Sequence, residues 1–243
     1  MTYCCGIHVE DGIVFASDTR TNAGPDHIAV VPKMSVWERP GDRVIVLLVS
    51  GNLAITQKVI NLLNERLQST VQPNLWTATS LFHVAQLIGD TVREVHRLDS
   101  EALRSFGYDF AVSLILGGQI AGEAPRLFNI YAAGNFIEAT TDTPFFQIGE
   151  TKYGKPILDR VAGYDTPLED AVKLALISMD STLRSNFSVG LPADLLVYRI
   201  DTQQIAVRQR ITDEDPYFKQ VRWQWSEALR RAYRDLPTPP WLT

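Results

Sequence analysis

The sequence predicts an α+β chain in which two sheets stack and each is covered on its outer side by a pair of helices. Three observations carry that expectation. Short apolar runs with strand-like spacing fall into three groups, and two pairs of amphipathic helical segments separate the groups. Turn dipeptides, Asp11-Gly12 and Gly134-Asn135, join neighbouring runs as in hairpins. The stretch Val44 to Val49 is apolar without a break, as in a strand covered on both faces.

In chain order, residues 3–9 and 13–17 form the first hairpin, because Asp-Gly tolerates the torsions that a tight turn needs. Thr2 therefore starts a strand and is held, whereas most chain ends fray. A polar loop through Pro25-Asp26-His27 leads to short strands at 28–31 and 34–38, and Pro40-Gly41-Asp42 turns into the strand 43–50. Gly51 ends that strand. A helix over about 53–68 and a longer one over about 79–103 carry apolar residues at helical spacing, among them Val59, Leu63, Val84, Ile88 and Val92. Strands return at 110–116, ended by Gly117-Gly118, then at 127–132, 136–140 and 145–148. Helices follow at 151–161 and 167–184, and a last hairpin pairs 194–200 with 204–208 around Asp201-Thr202. Beyond it, Asp215-Pro216 opens a further helix to about residue 234, with Asp as cap and Pro in the first turn. The end, 237–241, holds three prolines and is read as non-helical. The expected division is a domain over 2–210 and a C-terminal helical extension over 211–243.

Composition narrows the function. With 243 residues, 45% of them hydrophobic, the chain can bury one large core. A net charge of -5 gives no reason to expect a nucleic-acid or anionic-membrane partner. No segment approaches the roughly 18 uncharged apolar residues of a membrane span, and Glu10, Asp11 and Asp18 interrupt any leader-like start. Cys4 and Cys5 are adjacent in a strand, so they point to opposite faces and suit a reducing cytoplasm better than a disulfide. There is no phosphate loop, dinucleotide glycine fingerprint, His-Glu-x-x-His or Gly-x-Ser-x-Gly. His8, His27, His83 and His96 lack ligand spacing and are read as packing or surface residues. Neither a cofactor nor a metal is expected.

What remains is the opening stretch. Loss of Met1 would leave Thr2 with its hydroxyl and a free α-amine on one residue, and a terminal amine is a base that can activate a threonine hydroxyl. Its ordinary pKa, about 7.7–8.0, leaves a useful neutral fraction near physiological pH. Asp18 ends the strand that pairs with the one Thr2 begins, and Lys33 follows a loop short enough to return there. A lysine beside the nucleophile favours the alkoxide, and an aspartate fixes that lysine. Taken separately, the two are more often a surface ion pair, worth little. Ser50-Gly51 offers a backbone N–H for an oxyanion, or is simply a strand terminator.

Thr2 at a strand start, Gly12 in the turn, Phe15-Ala16-Ser17-Asp18-Thr19-Arg20, Lys33 and Ser50-Gly51 together resemble the proteasome β-subunit family of N-terminal nucleophile hydrolases over residues 2–210. Met-Thr-Tyr-Cys at the start, the stretch 17–24 and the stretch 184–192 narrow the resemblance to one bacterial branch. The resemblance implies a four-layer αββα sandwich with an added C-terminal helix, self-assembly into a ring or open helical ring, and hydrolysis of peptide or other amide bonds through an acyl-enzyme. It implies Thr2 as nucleophile, Asp18 and Lys33 as the supporting charged pair and Gly51 as oxyanion donor. Thr21, Val31 and Val49 would line the substrate pocket. The family's spacing from nucleophile to lysine is one residue longer and would fall on Met34; Lys33 is taken because methionine carries no charge. The family's middle Ser-Gly reads Gly149-Glu150 here, and its later Asp-x-x-Ser-Gly has no clean match. Arg20, Glu150, Asp180, Ser185 and Ser188 are the supporting candidates. These departures give a second reading, a weakly active assembly or binding protein on the same fold. An ATP-driven partner is left unassigned.

Overall fold

The computed structural model describes residues 1–22, 28–69 and 73–242. The loop expected through Pro25-Asp26-His27 and the Ala23-Gly24 end of the 17–24 stretch lie outside the described residues. The first hairpin is β1 (Tyr3–Val9) and β2 (Gly12–Asp18), in register from Cys4↔Ser17 to Val9↔Gly12. After it come a two-stranded ribbon, β3 (Arg20–Asn22) and β4 (Ile28–Val30), then β5 (Met34–Arg39) and β6 (Arg43–Gly51). Two helices follow, α1 (Leu53–Arg66) and α2 (Leu81–Ser105). They start where side chains satisfy free N–H groups: Asn52 accepts from Ala54 at 3.0 Å and Ser80 from His83 at 3.0 Å. The chain continues through β7 (Val112–Ile120), β8 (Arg126–Ile130), β9 (Phe136–Glu138) and β10 (Phe145–Gly149). Then come α3 (Lys155–Val161), α4 (Leu168–Ser185), β11 (Ala193–Arg199), β12 (Ile205–Ile211) and α5 (Pro216–Arg234).

One sheet has the order β10-β1-β2-β11-β12 and the other β5-β6-β7-β8-β9. Three apolar clusters hold four layers together. Cys4, Ile13, Phe15, Leu48, Ile115 and Leu127 meet between the sheets. Val59, Val84, Ile88 and Val92 pack α1 and α2 onto Ile45, Leu47 and Leu116. Tyr3, Cys5 and Ile7 pack against Leu168, Ala175 and Met179 of α4. The fold is the αββα sandwich that the resemblance implies. Phe218 and Val221 of α5 join the α4 cluster, and Asp215 caps α5 on the Phe218 N–H at 2.8 Å. Cys4 and Cys5 are buried, unpaired, and fall in different layers.

Three local expectations need correcting. The strand expected to end before Gly117-Gly118 runs through both as β7, because Gly117 has a job inside the sandwich. A Cβ there would lie 2.7 Å from Cζ of Phe15, so the glycine makes room for a ring wedged between the sheets. The stretch 151–161 is helical only from Lys155, one residue before Pro156. The tail is not wholly irregular, since Pro240–Leu242 forms one 3-10 turn.

Phe15 is fully buried in the layer between the sheets. Phe15→Ala is expected to lower unfolding stability by about 3–5 kcal/mol in urea titrations, since a cavity would open where neither sheet can close on it. A loss under about 1 kcal/mol would contradict the wedged position.

Candidate active site

The antiparallel register of β1 brings Thr2 against the end of β10. Tyr3 pairs with Gly149 of β10, and the Glu150 N–H donates to the Thr2 carbonyl at 2.7 Å. Gly149 has φ 86°, and a Cβ on it would sit 2.0 Å from the Thr2 carbonyl oxygen. Only glycine adopts that backbone at that approach without displacing Thr2.

Asp18 ends β2 opposite Ala193 of β11 and has no exposed surface. Its Oδ1 accepts the Tyr3 N–H at 2.9 Å and the Lys33 Nζ at 2.6 Å, while Oδ2 accepts the Gly190 N–H at 3.3 Å. Burial pushes the Asp18 carboxyl above its ordinary range, and the Lys33 ammonium with the two backbone donors pulls against that rise. Lys33, 6% exposed, donates a second bond to the Arg20 carbonyl at 2.7 Å. Lys33 therefore has a carboxylate and a carbonyl to fix its head in place, and Met34, the residue that a longer spacing would select, is packed between the sheets instead.

A cavity of about 600 Å³ opens above this pair. Thr2, Lys33 and Gly51 line it together with Thr21, Val49 and Tyr108. Met1 lines the same cavity and is 63% exposed. Of the residues expected in the pocket, Thr21 and Val49 face the cavity, whereas Val31 is not among its walls; the Val31 N–H pairs with the Thr19 carbonyl at 2.8 Å. Thr21 arrives on β3, a strand that the sequence pattern did not announce.

The supporting candidates separate. Arg20 reaches the loop after α4, donating to the Phe187 carbonyl at 3.0 Å. Glu150 is buried, with Oε1 accepting the Lys152 N–H at 3.0 Å and Oε2 accepting Asn186 Nδ2 at 2.8 Å. Ser188 gives its backbone N–H to Asn186 Oδ1 at 2.9 Å. Asp180 lies elsewhere: its oxygens accept Arg222 Nε of α5 at 2.7 Å and Arg184 Nε at 3.2 Å, so this acid anchors the C-terminal helix. Ser185 is the exposed last residue of α4. Two residues escaped the sequence reading, Asn186 and Gly190. The signal was a polar residue four before a glycine, Asn186-Phe187-Ser188-Val189-Gly190, hidden because an amide stands where an acid was sought.

Comparison with known proteins gives a consistent picture. The family model described as "Proteasome subunit" matches residues 2–190. "Proteasome subunit beta 1" of Pyrobaculum calidifontis is 25% identical over 198 residues, covering 81% of this chain and 89% of the relative. The structure of "Anbu (ancestral beta-subunit) from Yersinia bercovieri" superimposes with a TM-score of 0.92 at 50% identity over 98% of both chains. The "Helical Assembly of the Anbu Complex from Pseudomonas aeruginosa" does so with a TM-score of 0.93 at 49% identity, again over 98% of both. The extension carrying α5 is thus shared with these structures. The chain belongs to the proteasome subunit family, within its Anbu branch.

Proposed function

We propose that the chain is a threonine-type N-terminal nucleophile hydrolase that cleaves peptide or other amide bonds. The observation that carries this reading is one cavity lined at once by Thr2, Lys33 and Gly51 over a buried Asp18–Lys33 pair. Removal of Met1 creates the free α-amine of Thr2 at the cavity wall. That amine takes the hydroxyl proton as Oγ1 attacks the substrate carbonyl carbon. The Lys33 charge lowers the cost of the alkoxide, and the Gly51 N–H is the donor assigned to the tetrahedral oxyanion. The C–N bond then breaks, the leaving amine departs with the proton, and an ester on Thr2 remains. Water, deprotonated by the same amine, attacks the ester and restores the hydroxyl. None of these steps calls on a cofactor.

Self-assembly into a ring or open helical ring belongs to the same reading, supported by the helical assembly of the Pseudomonas aeruginosa relative. So does a cytoplasmic location, in keeping with two buried free thiols; no helix among the described residues is long and apolar enough to cross a membrane. A second reading, a weakly active assembly or binding protein, is favoured by one observation: a buried carboxylate, Glu150, stands where the family resemblance implies a hydroxyl.

Intact-mass analysis of the purified protein is expected to show loss of Met1, and a peptide epoxyketone, which needs both the amine and the hydroxyl of a terminal threonine, should label Thr2. Peptide turnover should vanish in Thr2→Ala while particle size by light scattering stays the same. Retention of Met1 would rule out the hydrolase, and absence of turnover across a broad peptide library would leave the binding-protein reading.

The ion pair gives a separate expectation. Asp18→Asn strands a buried ammonium and is expected to cost about 3–5 kcal/mol of stability as well as labelling of Thr2. Replacing Lys33 as well, in Asp18→Asn/Lys33→Met, should return part of that stability but none of the labelling. Equal stabilities of wild type and Asp18→Asn in urea would show that Lys33 does not depend on the carboxylate.

A further inference from the structure

A polar pair beside Thr2, the buried Glu150 and the half-buried Asn186, has no part in the steps above. Glu150 is 4% exposed, and its backbone N–H holds the Thr2 carbonyl at 2.7 Å. Each of its side-chain oxygens has one donor, the Lys152 N–H at 3.0 Å and Asn186 Nδ2 at 2.8 Å. Asn186 also accepts the Ser188 N–H at 2.9 Å. Those contacts shape the loop that ends at Gly190, whose N–H reaches Asp18 Oδ2 at 3.3 Å. Asp18 then holds the Tyr3 N–H and Lys33 through Oδ1. The connections form a closed circuit: from the Thr2 carbonyl through Glu150, Asn186 and the loop to Asp18, and from Asp18 back to the residue next to Thr2. Arg20 grips the same loop from the other side, at the Phe187 carbonyl and against Gly190, where a Cβ would lie 2.1 Å from Arg20 Nε.

The chemistry of the pair is directional. Glu150 as a carboxylate only accepts, so its partner must donate. Asn186 must donate to Glu150 and accept from Ser188 at once, which an amide does and a carboxylate does not. A second acid at 186 would face a buried like charge with no donor between them.

We propose that Asn186, held by Glu150, is a positioning residue of the Thr2 site, fixing the 186–190 loop so that the Gly190 N–H stays on Asp18 and Asp18 keeps Lys33 at the cavity. This rests on the Thr2 hydrolase reading. Asn186 touches neither substrate nor nucleophile in this role. It acts through the loop.

The test exchanges donor and acceptor. Asn186→Asp puts two carboxylates together. The double variant Glu150→Gln/Asn186→Asp restores every hydrogen bond with the roles reversed. The amide introduced at position 150 accepts from the Lys152 N–H through its oxygen and donates through its nitrogen to the carboxylate introduced at position 186. That carboxylate still accepts the Ser188 N–H. Total charge equals that of the wild type. The readout is the second-order rate of Thr2 labelling by a peptide epoxyketone across pH, with particle size and thermal midpoint recorded for each protein. Asn186→Asp is expected to label on the order of 10- to 100-fold more slowly, the scale of a misplaced catalytic group. Its acid limb should also move to higher pH. Asp18 is faced by Lys33, by the Cys4 thiol and by the N–H groups of Tyr3 and Gly190. Losing the Gly190 donor removes a bond to the ionised form, so the carboxyl protonates at a higher pH and Lys33 loses its partner there. The exchanged pair should recover both rate and profile.

Wild-type rate and profile in Asn186→Asp would overturn the proposal. So would an exchanged pair that assembles and melts like the wild type yet labels as slowly as the single variant. If Asn186→Asp fails to assemble, Asn186→Ala is read in the same way: slower labelling on an intact particle supports the role, and an unchanged rate overturns it. A wild type that takes no label overturns the hydrolase reading itself, and the positioning role with it.

Discussion

The structure around Thr2 depends on where the Asp18 carboxylate finds its partners. A carboxylate with no exposed surface is held only if charge and hydrogen bonds offset its lost hydration. Here those partners come from separate elements: the Tyr3 N–H from β1, the Lys33 ammonium from the turn before β5, and the Gly190 N–H from the loop before β11. Misplacing any of them leaves a charge or a donor buried without its bond. The same requirement for partners that holds Asp18 in the interior therefore fixes three segments relative to one another, and Thr2 stands next to the first of them.

Strand register does the rest of the positioning. Because β1 lies between β2 and β10, the start of β1 is flanked by the end of β2 on one side and by Gly149-Glu150 on the other. A slip of one residue would turn Cys4 toward the helices and Cys5 toward the partner sheet, exchanging two packed layers. The core thus specifies the register, and the register specifies where Thr2 lies. The close approach of Gly149 to the Thr2 carbonyl adds a steric stop at the same point.

Much of this was legible in the sequence because it rests on local rules. Asp11-Gly12 announces the hairpin, the apolar run at 44–49 announces a covered strand, and Asp215-Pro216 announces α5. Thr2, Asp18, Lys33 and Gly51 stood out together only through the resemblance to proteasome β-subunits, since each alone has an ordinary reading. The structure adds that Thr2, Lys33 and Gly51 line one cavity and that Lys33 pairs with Asp18. What stayed hidden depends on distant contacts. Gly117-Gly118 looks like a strand end until Phe15, far away in the chain, is seen filling the gap. β3 is three residues long and takes its place from its pairing with β4. Asn186 was overlooked because its function is defined by Glu150, and no local pattern links an amide to a carboxylate 36 positions earlier.

Asp180 shows how such distant contacts separate two buried acids of similar appearance. Both Asp18 and Asp180 are almost wholly buried, and each is paired with a basic side chain. Asp180 is met by Arg222 and Arg184, long side chains that remain partly exposed. It ties α5 to α4 at the outer layer, where Phe218 and Val221 supply the apolar part of the contact. Asp18 is met by a lysine that is itself buried and borders the cavity. The guanidinium pair uses a planar, spread charge that tolerates partial exposure, as a joint between helices requires. The ammonium pair concentrates charge at one point beside a cavity, as the proposed hydrolysis requires. Burial alone does not distinguish an anchor from a site; the surroundings of the partner cation do.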